Sequence, residues 1–331
     1  MPYRFKAKES VPDGIRRIVR EEIEDATKQL SHAKGANHGK AIHEARKSIK
    51  KIRAVVRLIQ PELGQIYKQE NGRLGEAGRR LSEIRDAEAI IEVFDGLVER
   101  YRLQLKPQAI AAVRRGLVKN KTETEARVRL DAAVRQAASV LRALEKRLAG
   151  WPLKADGFEA IAPGFKKRYR RGQRAMATAR KQPAPETFHE WRKRVKDHWY
   201  HVRLLESLCT EVLQTREGAL KELETWLGDD HNLFVLCGKL RDDQERYGGA
   251  ENVELFAALM EEYSKELRDK AFSLGERIYE QKPKLLGREM ERLWDTWQNQ
   301  PASMKEEGKQ QQRAQKKGAG QAQFRAKRAL A

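Results

Sequence analysis

Cysteine is scarce in this 331-residue chain, which contains only Cys209 and Cys237. Neither residue belongs to a Cys-x-x-Cys or Cys/His pattern with the spacing of metal ligands. A disulfide framework or a zinc site is therefore not expected. Strand signals are also essentially absent, because we find no alternating β-branched runs that flank Asn-Gly or Asp-Gly turns.

Long apolar segments are missing as well. The longest uninterrupted apolar run is the six-residue stretch from Leu255 to Met260. The first 30 residues carry charge throughout and lack the apolar core of a signal peptide. Secretion and membrane spanning are therefore not expected, and the sequence predicts a cytoplasmic protein.

Negative charge is in short supply relative to positive charge. The chain has 68 Lys and Arg against 48 Asp and Glu, which gives a formal charge of +20. An excess of this size predicts an anionic partner. Hydrophobic residues make up 40% of the chain, which is enough to bury a sizeable core.

Apolar residues recur at spacings of three and four between the prolines, which predicts an all-α protein. Near the carboxyl terminus the composition changes to Gln, Ala, Gly, Lys and Arg without an apolar period, and we interpret this segment as a disordered basic tail. The predicted helices are 12–32, 39–60, 62–84, 86–105, 108–149, 155–182, 186–206, 210–227, 231–246, 251–281 and 284–299, and the tail is 301–331.

Two segments of the chain resemble each other. The first reads IHEARKSIKKIRAVVRLI over 42–59, and the second reads FHEWRKRVKDHWYHVRLL over 188–205. LSEIRDAEAI from Leu81 and LGDDHNLFVL from Leu227 align at the same offset of 146 residues. Two matches at one offset predict an internal duplication, with halves at 1–150 and 151–300.

The repeated helix has a cationic face. At 100° per residue its basic residues fall within an arc of roughly 120°, about 21 Å long, and apolar residues occupy a separate arc. Glu44 lies off this arc, so we expect the charges to remain unneutralised. The face comprises His43, Arg46, Lys47, Lys50, Arg53 and Arg57 in the first copy, and His189, Arg192, Lys193, Lys196, Arg203 and the Tyr200 hydroxyl in the second.

Further basic residues accompany this helix. Arg85 and His231 occupy equivalent positions near predicted helix starts, where backbone amides could also face an anion. Asp86, and Asp229 or Asp230, are interpreted as helix caps. The basic set Arg16, Arg17 and Arg20 shares its spacing with Arg170, Arg171 and Arg174, which lie with Lys167 in a stretch of eight basic residues and no acidic one.

The His-Glu-x-Arg-Lys-x-x-Lys pattern occurs in both halves. It is followed by Leu-x-x-x-Arg-Asp from Leu81 in the first half and by Leu-Gly-x-x-His-Asn from Leu227 in the second. Together these motifs resemble the CHAD family, the conserved histidine α-helical domain. The resemblance spans roughly residues 9–299. It implies two four-helix bundles related by pseudo-twofold symmetry, whose basic helices line a central groove that binds inorganic polyphosphate. By motif position it implies ligand contacts from His43, Arg46, Lys47, Lys50, Arg53, Arg57, Arg85, His189, Arg192, Lys193, Lys196, Arg203 and His231.

We therefore predict a binding protein for polyphosphate or another polyanion, without catalysis, metal or cofactor. Neutral His43 and His189 would donate hydrogen bonds to the anion, and protonation below pH ~6.5 would tighten the contact. Two alternatives remain open. One is RNA binding, although the first strip lacks the aromatic platforms typical of single-strand binders. The other is histidine phosphotransfer, although no P-loop or acidic metal cluster accompanies the histidines.

Overall fold

The computed structural model describes residues 3–33, 38–127 and 130–299, without the side chains of 83–86 and 126–127. This part of the chain is all-helical, as the sequence predicts, and the tail predicted at 301–331 lies outside it. None of its helices combines the length and the apolar character needed to cross a membrane. The helices are α1 Val11–Ser31, α2 His38–Leu58, α3 Gln60–Leu63, α4 Ile66–Arg80, α5 Ser82–Arg100, α6 Pro107–Arg127, α7 Leu130–Leu148, α8 Ala162–Lys181, α9 Pro185–Leu204, α10 Thr210–Asp242, α11 Ala250–Tyr279 and α12 Pro283–Asn299.

Local sequence explains where these helices begin and which face they bury. Ser10 caps α1, because its hydroxyl accepts a hydrogen bond from the amide of Asp13 at 3.1 Å. Prolines stand in the first turns of α1, α8 and α9, where the missing amide proton costs no helical hydrogen bond. In α2 the predicted apolar arc is buried, with Ile42, Ile52 and Val56 fully inaccessible to solvent. The amphipathic pattern thus fixes which side of α2 packs and leaves its cationic side outward.

One predicted helix break is wrong. The sequence suggests two helices over 210–227 and 231–246, with Asp229 or Asp230 as a cap, but α10 runs without interruption from Thr210 to Asp242. Asp230 is buried within the helix, and its carboxylate accepts a hydrogen bond from Arg268 at 2.7 Å. Gly228 lies beneath the Arg192 guanidinium, where a side chain would collide with it. These residues therefore serve tertiary contacts rather than ending a helix.

The core consists of two clusters, and each draws on both halves of the sequence. The larger cluster joins α1, α2, α4 and α7 to α8, α9, α12 and parts of α10 and α11. The smaller cluster packs α5 and α6 against the remaining parts of α10 and α11. The long helices α10 and α11 thus tie the clusters together. Division of the chain near residue 150 remains a prediction from the sequence.

Close contacts fasten α2 to the second half of the chain. Arg57 Nη1 lies 2.6 Å from the buried Asp197 carboxylate of α9. The buried His201 Nε2 donates to the carbonyl of Ala54 at 2.9 Å. Gly164 of α8 lies so close to α2 that a β-carbon on it would stand 1.7 Å from the Leu58 carbonyl oxygen. These contacts hold α2 beside α9 in one arrangement.

Replacement of Gly164 by Ala should therefore destabilise the fold, because the atom it would strike is backbone and cannot rotate away. Forced overpacking of this kind costs about 1–3 kcal/mol or more. Chemical denaturation should show the loss. The matched control is Gly218→Ala, since Gly218 lies in α10 with nothing within 4 Å of its β-carbon position and should gain up to about 1 kcal/mol. Equal stability of the two variants would contradict the contact.

Two buried histidines should make the fold sensitive to acid. Burial lowers the pKa of His198 well below its ordinary value, and burial lowers that of His201 to about 4. Above pH ~6.5 both rings are neutral whether the chain is folded or unfolded, so they contribute nothing. As the pH falls from ~6.5 toward 4, the two histidines bind protons in the unfolded chain but not in the folded chain. The free energy of unfolding therefore falls by roughly 1.4 kcal/mol per pH unit for each histidine.

The His201→Gln variant isolates this effect, because an amide can donate to the Ala54 carbonyl but does not titrate. Its free energy of unfolding should fall less steeply than that of the parent chain between pH 6.5 and 4. Urea unfolding at several pH values measures the difference. Parallel pH profiles for the two proteins would show that His201 plays no part.

Candidate anion-binding site

A basic cavity of about 560 Å³, which we call the central groove, lies where α2, α5, α6, α9 and α10 meet. It brings together cationic residues from both repeated helices. No carboxylate is among the residues that line it in the described part of the chain. The lining residues are Arg46, Lys50, Ala87, Ala89, Ile90, Thr124, His189, Arg192, Lys193, Lys196, His231, Asn232, Val235 and Lys239.

The two arginines predicted to be equivalent are positioned by equivalent residues. Arg46 Nη2 donates to the Ser82 hydroxyl at 2.8 Å. Arg192 lies over Gly228, the residue 146 positions after Ser82. Both side chains are partly buried and face the same cavity. A planar guanidinium can give two parallel hydrogen bonds to a phosphate group, so this pair defines the most specific contacts available in the groove.

The carboxylate of Glu224, behind the groove, partly neutralises the positive charge of α9, the second copy of the repeated helix. Glu224 is buried and accepts from Lys196 at 2.7 Å, from Arg192 at 3.2 Å and from Lys221 at 3.0 Å. Burial alone would raise the pKa of Glu224, but the neighbouring cations outweigh burial and lower it to about 2. One permanent negative charge is therefore shared among three cations, which leaves the site strongly positive.

Lys50 has no such partner. No hydrogen bond or ion pair joins its amine to another side chain in the described part of the chain. The equivalent of Glu224 in the first copy is Gly78, 146 positions earlier. Burial, followed by the charges of Lys196, Arg46 and Arg192, lowers the pKa of Lys50 to about 7. Its amine is thus an uncompensated donor whose charge an incoming anion would stabilise.

Two histidines form one wall of the groove. The rings of His189 and His231 are stacked with centroids 4.1 Å apart and planes tilted by 34°. Burial lowers the pKa of both rings, with additional lowering from nearby Lys193 and Arg192, and that of His231 falls to about 4. Protonation of His189 is therefore shifted to a lower pH than the ~6.5 of an ordinary histidine. Both rings are neutral donors at neutral pH, and the charge of the groove comes from Arg and Lys.

The prediction that the charges of the cationic strip remain unneutralised is wrong for its lysines at one position of each copy. Lys47 reaches back one turn to Glu44 at 2.9 Å, and Lys193 makes the equivalent contact with Glu190 at 2.8 Å. The flexible lysine stem explains the difference, because it spans the angle that separates the two positions on the helix. These pairs are exposed, and such pairs contribute little to stability, so an anion can replace the carboxylates.

The far ends of both strips lie outside the groove. Arg53 donates to Asn71 at 3.3 Å, and Arg57 forms its ion pair with Asp197. Arg203 lies 3.5 Å from Glu217 and stacks over Trp199. Tyr200 is only 4% exposed and packs edge-on against Tyr3, so the structure does not bring its hydroxyl to the groove. His43 is exposed near the start of α2 and also lies outside the lining.

The remaining predicted residues fall into other regions. Arg17 forms ion pairs with Glu9 and Glu21, and Arg16 donates to the Trp151 carbonyl, so their roles in α1 are structural; Arg20 is exposed on the same helix. The Arg85 side chain lies outside the described part of the chain. Lys167, Arg170, Arg171 and Arg174 line a different cavity on the outer side of α8.

Sequence reasoning missed Lys239 and Glu224. Lys239 lies eight residues after His231, and the intervening Val235 lines the groove as well, so all three share one face of α10. The four-residue spacing of His231, Val235 and Lys239 in the sequence already indicates this shared face. Glu224 could not be assigned to it, because the predicted helix break after residue 227 separated Glu224 from that face. A continuous α10 places Glu224, Gly228, His231 and Lys239 along one face of the helix, and His231 and Lys239 line the groove.

Comparison with known proteins identifies the fold. A model of the CHAD domain matches residues 17–241. No curated protein matches the chain significantly. The crystal structure of the CHAD domain from the plant Ricinus communis superposes with a TM-score of 0.63 at 13% identity, covering 85% of this chain and 96% of that one. PptA from Streptomyces chartreusis superposes with a TM-score of 0.54 at 14% identity, covering 83% of this chain and 100% of that one.

At such low identity the two solved structures show a shared fold and nothing finer. The family model covers more than half of the chain, and its span contains α2, α9 and all but the last residue of α10, which supply the basic residues of the central groove. The chain therefore belongs to the CHAD domain family.

Proposed function

We propose that the protein binds inorganic polyphosphate in the central groove, without turning it over. The observation that carries this proposal is the convergence of Arg46 and Lys50 from one repeat with Arg192 and Lys196 from the other on a single cavity. Glu224 pairs with both residues of the second pair and is itself outside the lining of the cavity. A ligand with one negative charge per unit would compensate the positive charge that the lining presents along the groove.

The geometry favours a narrow linear anion over a single phosphate ion. Donors stand on opposite walls and extend along α10 to Lys239, so several phosphate units are needed to contact them all. Each unit can accept charge-assisted hydrogen bonds from Arg and Lys. Binding releases condensed counterions, so affinity should rise with chain length and fall with salt, as for nucleic acids.

The environment of the two histidines in the groove supports binding without catalysis. His189 and His231 stack on each other, and their Nδ1 atoms are buried without hydrogen-bond partners in the described part of the chain. No carboxylate that the structure describes forms a hydrogen bond with either ring, whereas activated nucleophiles commonly have an oriented acid–base partner. A location in the cytoplasm, at polyphosphate granules, remains a prediction from the sequence.

The double variant Arg46→Ala/Arg192→Ala should lose affinity for polyphosphate by about 100-fold or more, because each of the two lost charge-assisted contacts contributes roughly 1.5–3 kcal/mol. Its helical content should be unchanged, because both side chains lie outside the apolar stripe. Calorimetric titration with polyphosphates of several lengths, paired with circular dichroism, measures both properties. The matched control is Arg102→Ala/Arg115→Ala, which removes two exposed arginines far from the groove.

Equal affinity for orthophosphate and long chains would rule out the proposed function. So would wild-type affinity in the groove variant. Competition between polyphosphate and RNA at matched salt adds a third check, since preferential binding of RNA would favour the nucleic-acid alternative. Loss of helical content in the groove variant would show that the arginines are structural.

Affinity for long polyphosphate should also increase as the pH falls from 8 to 6. Lys50 gains its proton in this range because its pKa is about 7 and the protonated amine binds an anion more tightly. The groups facing it are Lys196, Arg46, Arg192 and Glu224. Lys50→Arg keeps the charge at every pH, so the dependence should flatten in that variant. Long chains are the suitable ligand, because only their terminal phosphates titrate near neutrality.

Binding measured at pH 6, 7 and 8 for both proteins provides the comparison. An identical pH dependence in the parent chain and in Lys50→Arg would exclude Lys50 as the titrating group.

A further inference from the structure

A second basic surface lies on the outer side of α8. The buried side of this helix carries Phe165 and Tyr169, which pack on α9 around His198. The opposite side lines a concavity of about 630 Å³ together with the first turn of α12. We call this the α8 surface, and its lining residues are Pro163, Lys166, Lys167, Arg170, Arg171, Arg174 and Lys284.

The cations of the α8 surface are not neutralised. None of its six Lys and Arg residues forms an ion pair with any carboxylate that the structure describes, and Lys167 contacts only the neutral amide of Gln60 at 3.2 Å. Two exposed arginines elsewhere do form ion pairs, Arg114 with Asp95 and Arg241 with Glu254. Like charges one turn apart repel, so this arrangement weakens α8 rather than stabilising it.

Carboxylates lie at one edge of the α8 surface. A neighbouring hollow contains Glu159 and Glu291 together with Lys166 and Lys284. The carboxylates therefore bound the basic area on one side, whereas Arg170, Arg171 and Arg174 continue away from them along α8. The uncompensated stretch from Lys166 to Arg174 is about 12 Å long at 1.5 Å per residue.

The α8 surface is separate from the central groove. The two cavities share no lining residue in the described part of the chain. Helix α9 lies between them, with Trp191 and Val195 buried on one side and Arg192 and Lys196 facing the groove on another. Because packed helices lie about 8–10 Å apart, two helix thicknesses place the surfaces roughly 20 Å from each other. A chain of three phosphates cannot contact both.

Building on the proposed function of the groove, we infer that the α8 surface is a second polyphosphate-binding site. The protein then bridges two chains, or two segments of one long chain. A concave lining whose charged residues are all cationic fits a narrow linear anion. The lining offers no aromatic ring on which an unpaired base of a nucleic acid could stack.

The stoichiometry of a short chain tests this inference. Calorimetry with tripolyphosphate should give about two sites on the parent protein and about one on Arg170→Glu/Arg171→Glu/Arg174→Glu. The groove variant Arg46→Ala/Arg192→Ala should keep the site on α8. The matched control Arg102→Glu/Arg115→Glu/Lys119→Glu makes the same change of net charge at exposed positions and should keep both sites.

Bridging provides a second readout. Long polyphosphate mixed with the parent protein should raise light scattering, and the α8 variant should abolish the increase while still binding one short chain. One site on the parent protein, or unchanged scattering in the α8 variant, would overturn the inference. Loss of duplex RNA binding in the α8 variant, with both tripolyphosphate sites retained, would overturn it in favour of a nucleic-acid surface. Two tripolyphosphate sites retained in the groove variant, with one site lost in the α8 variant, would contradict the proposed function and leave the second site standing.

Discussion

The structure depends on holding two cationic helices side by side against their mutual repulsion. Packing offsets this repulsion, because the apolar stripe of α2 is buried and Gly164 lies close against the α2 backbone. Electrostatic compensation is local and incomplete. Asp197 secures Arg57 at one end of the interface, and Glu224 serves the groove itself. The remaining positive charge is concentrated where an anionic chain can reach it.

The two repeated helices have diverged at the positions that control this charge. Glu224 compensates Lys196, whereas Gly78 stands at the equivalent place opposite Lys50. Burial lowers the pKa of both lysines, to about 7 for Lys50, and the hydrogen bond to Glu224 opposes the shift of Lys196. The two walls of the groove thus look alike in sequence but differ in the pairing of their lysines.

Helical class and the apolar face of α2 could be predicted from periodicity, because each is a property of residues spaced along one helix. The convergence of Arg46 with Arg192 was implied by the resemblance to the CHAD family. What could not be predicted involves partners distant in the chain. The carboxylates that pair with Arg57 and Lys196 lie 140 and 28 residues away, and Gly228 of the continuous α10 is covered by a guanidinium from another helix. The depressed pKa values of the histidines likewise follow from burial, which the sequence does not show.

The central claim is that an anion lies between the two repeats. Diffraction from crystals grown with tungstate, a heavy analogue of phosphate, tests it most directly through the anomalous signal. The account predicts a tungstate in the central groove within hydrogen-bonding distance of Arg46, Lys50 and Arg192. Tungstate found only outside the groove, with those three side chains turned toward carboxylates or open solvent, would contradict it.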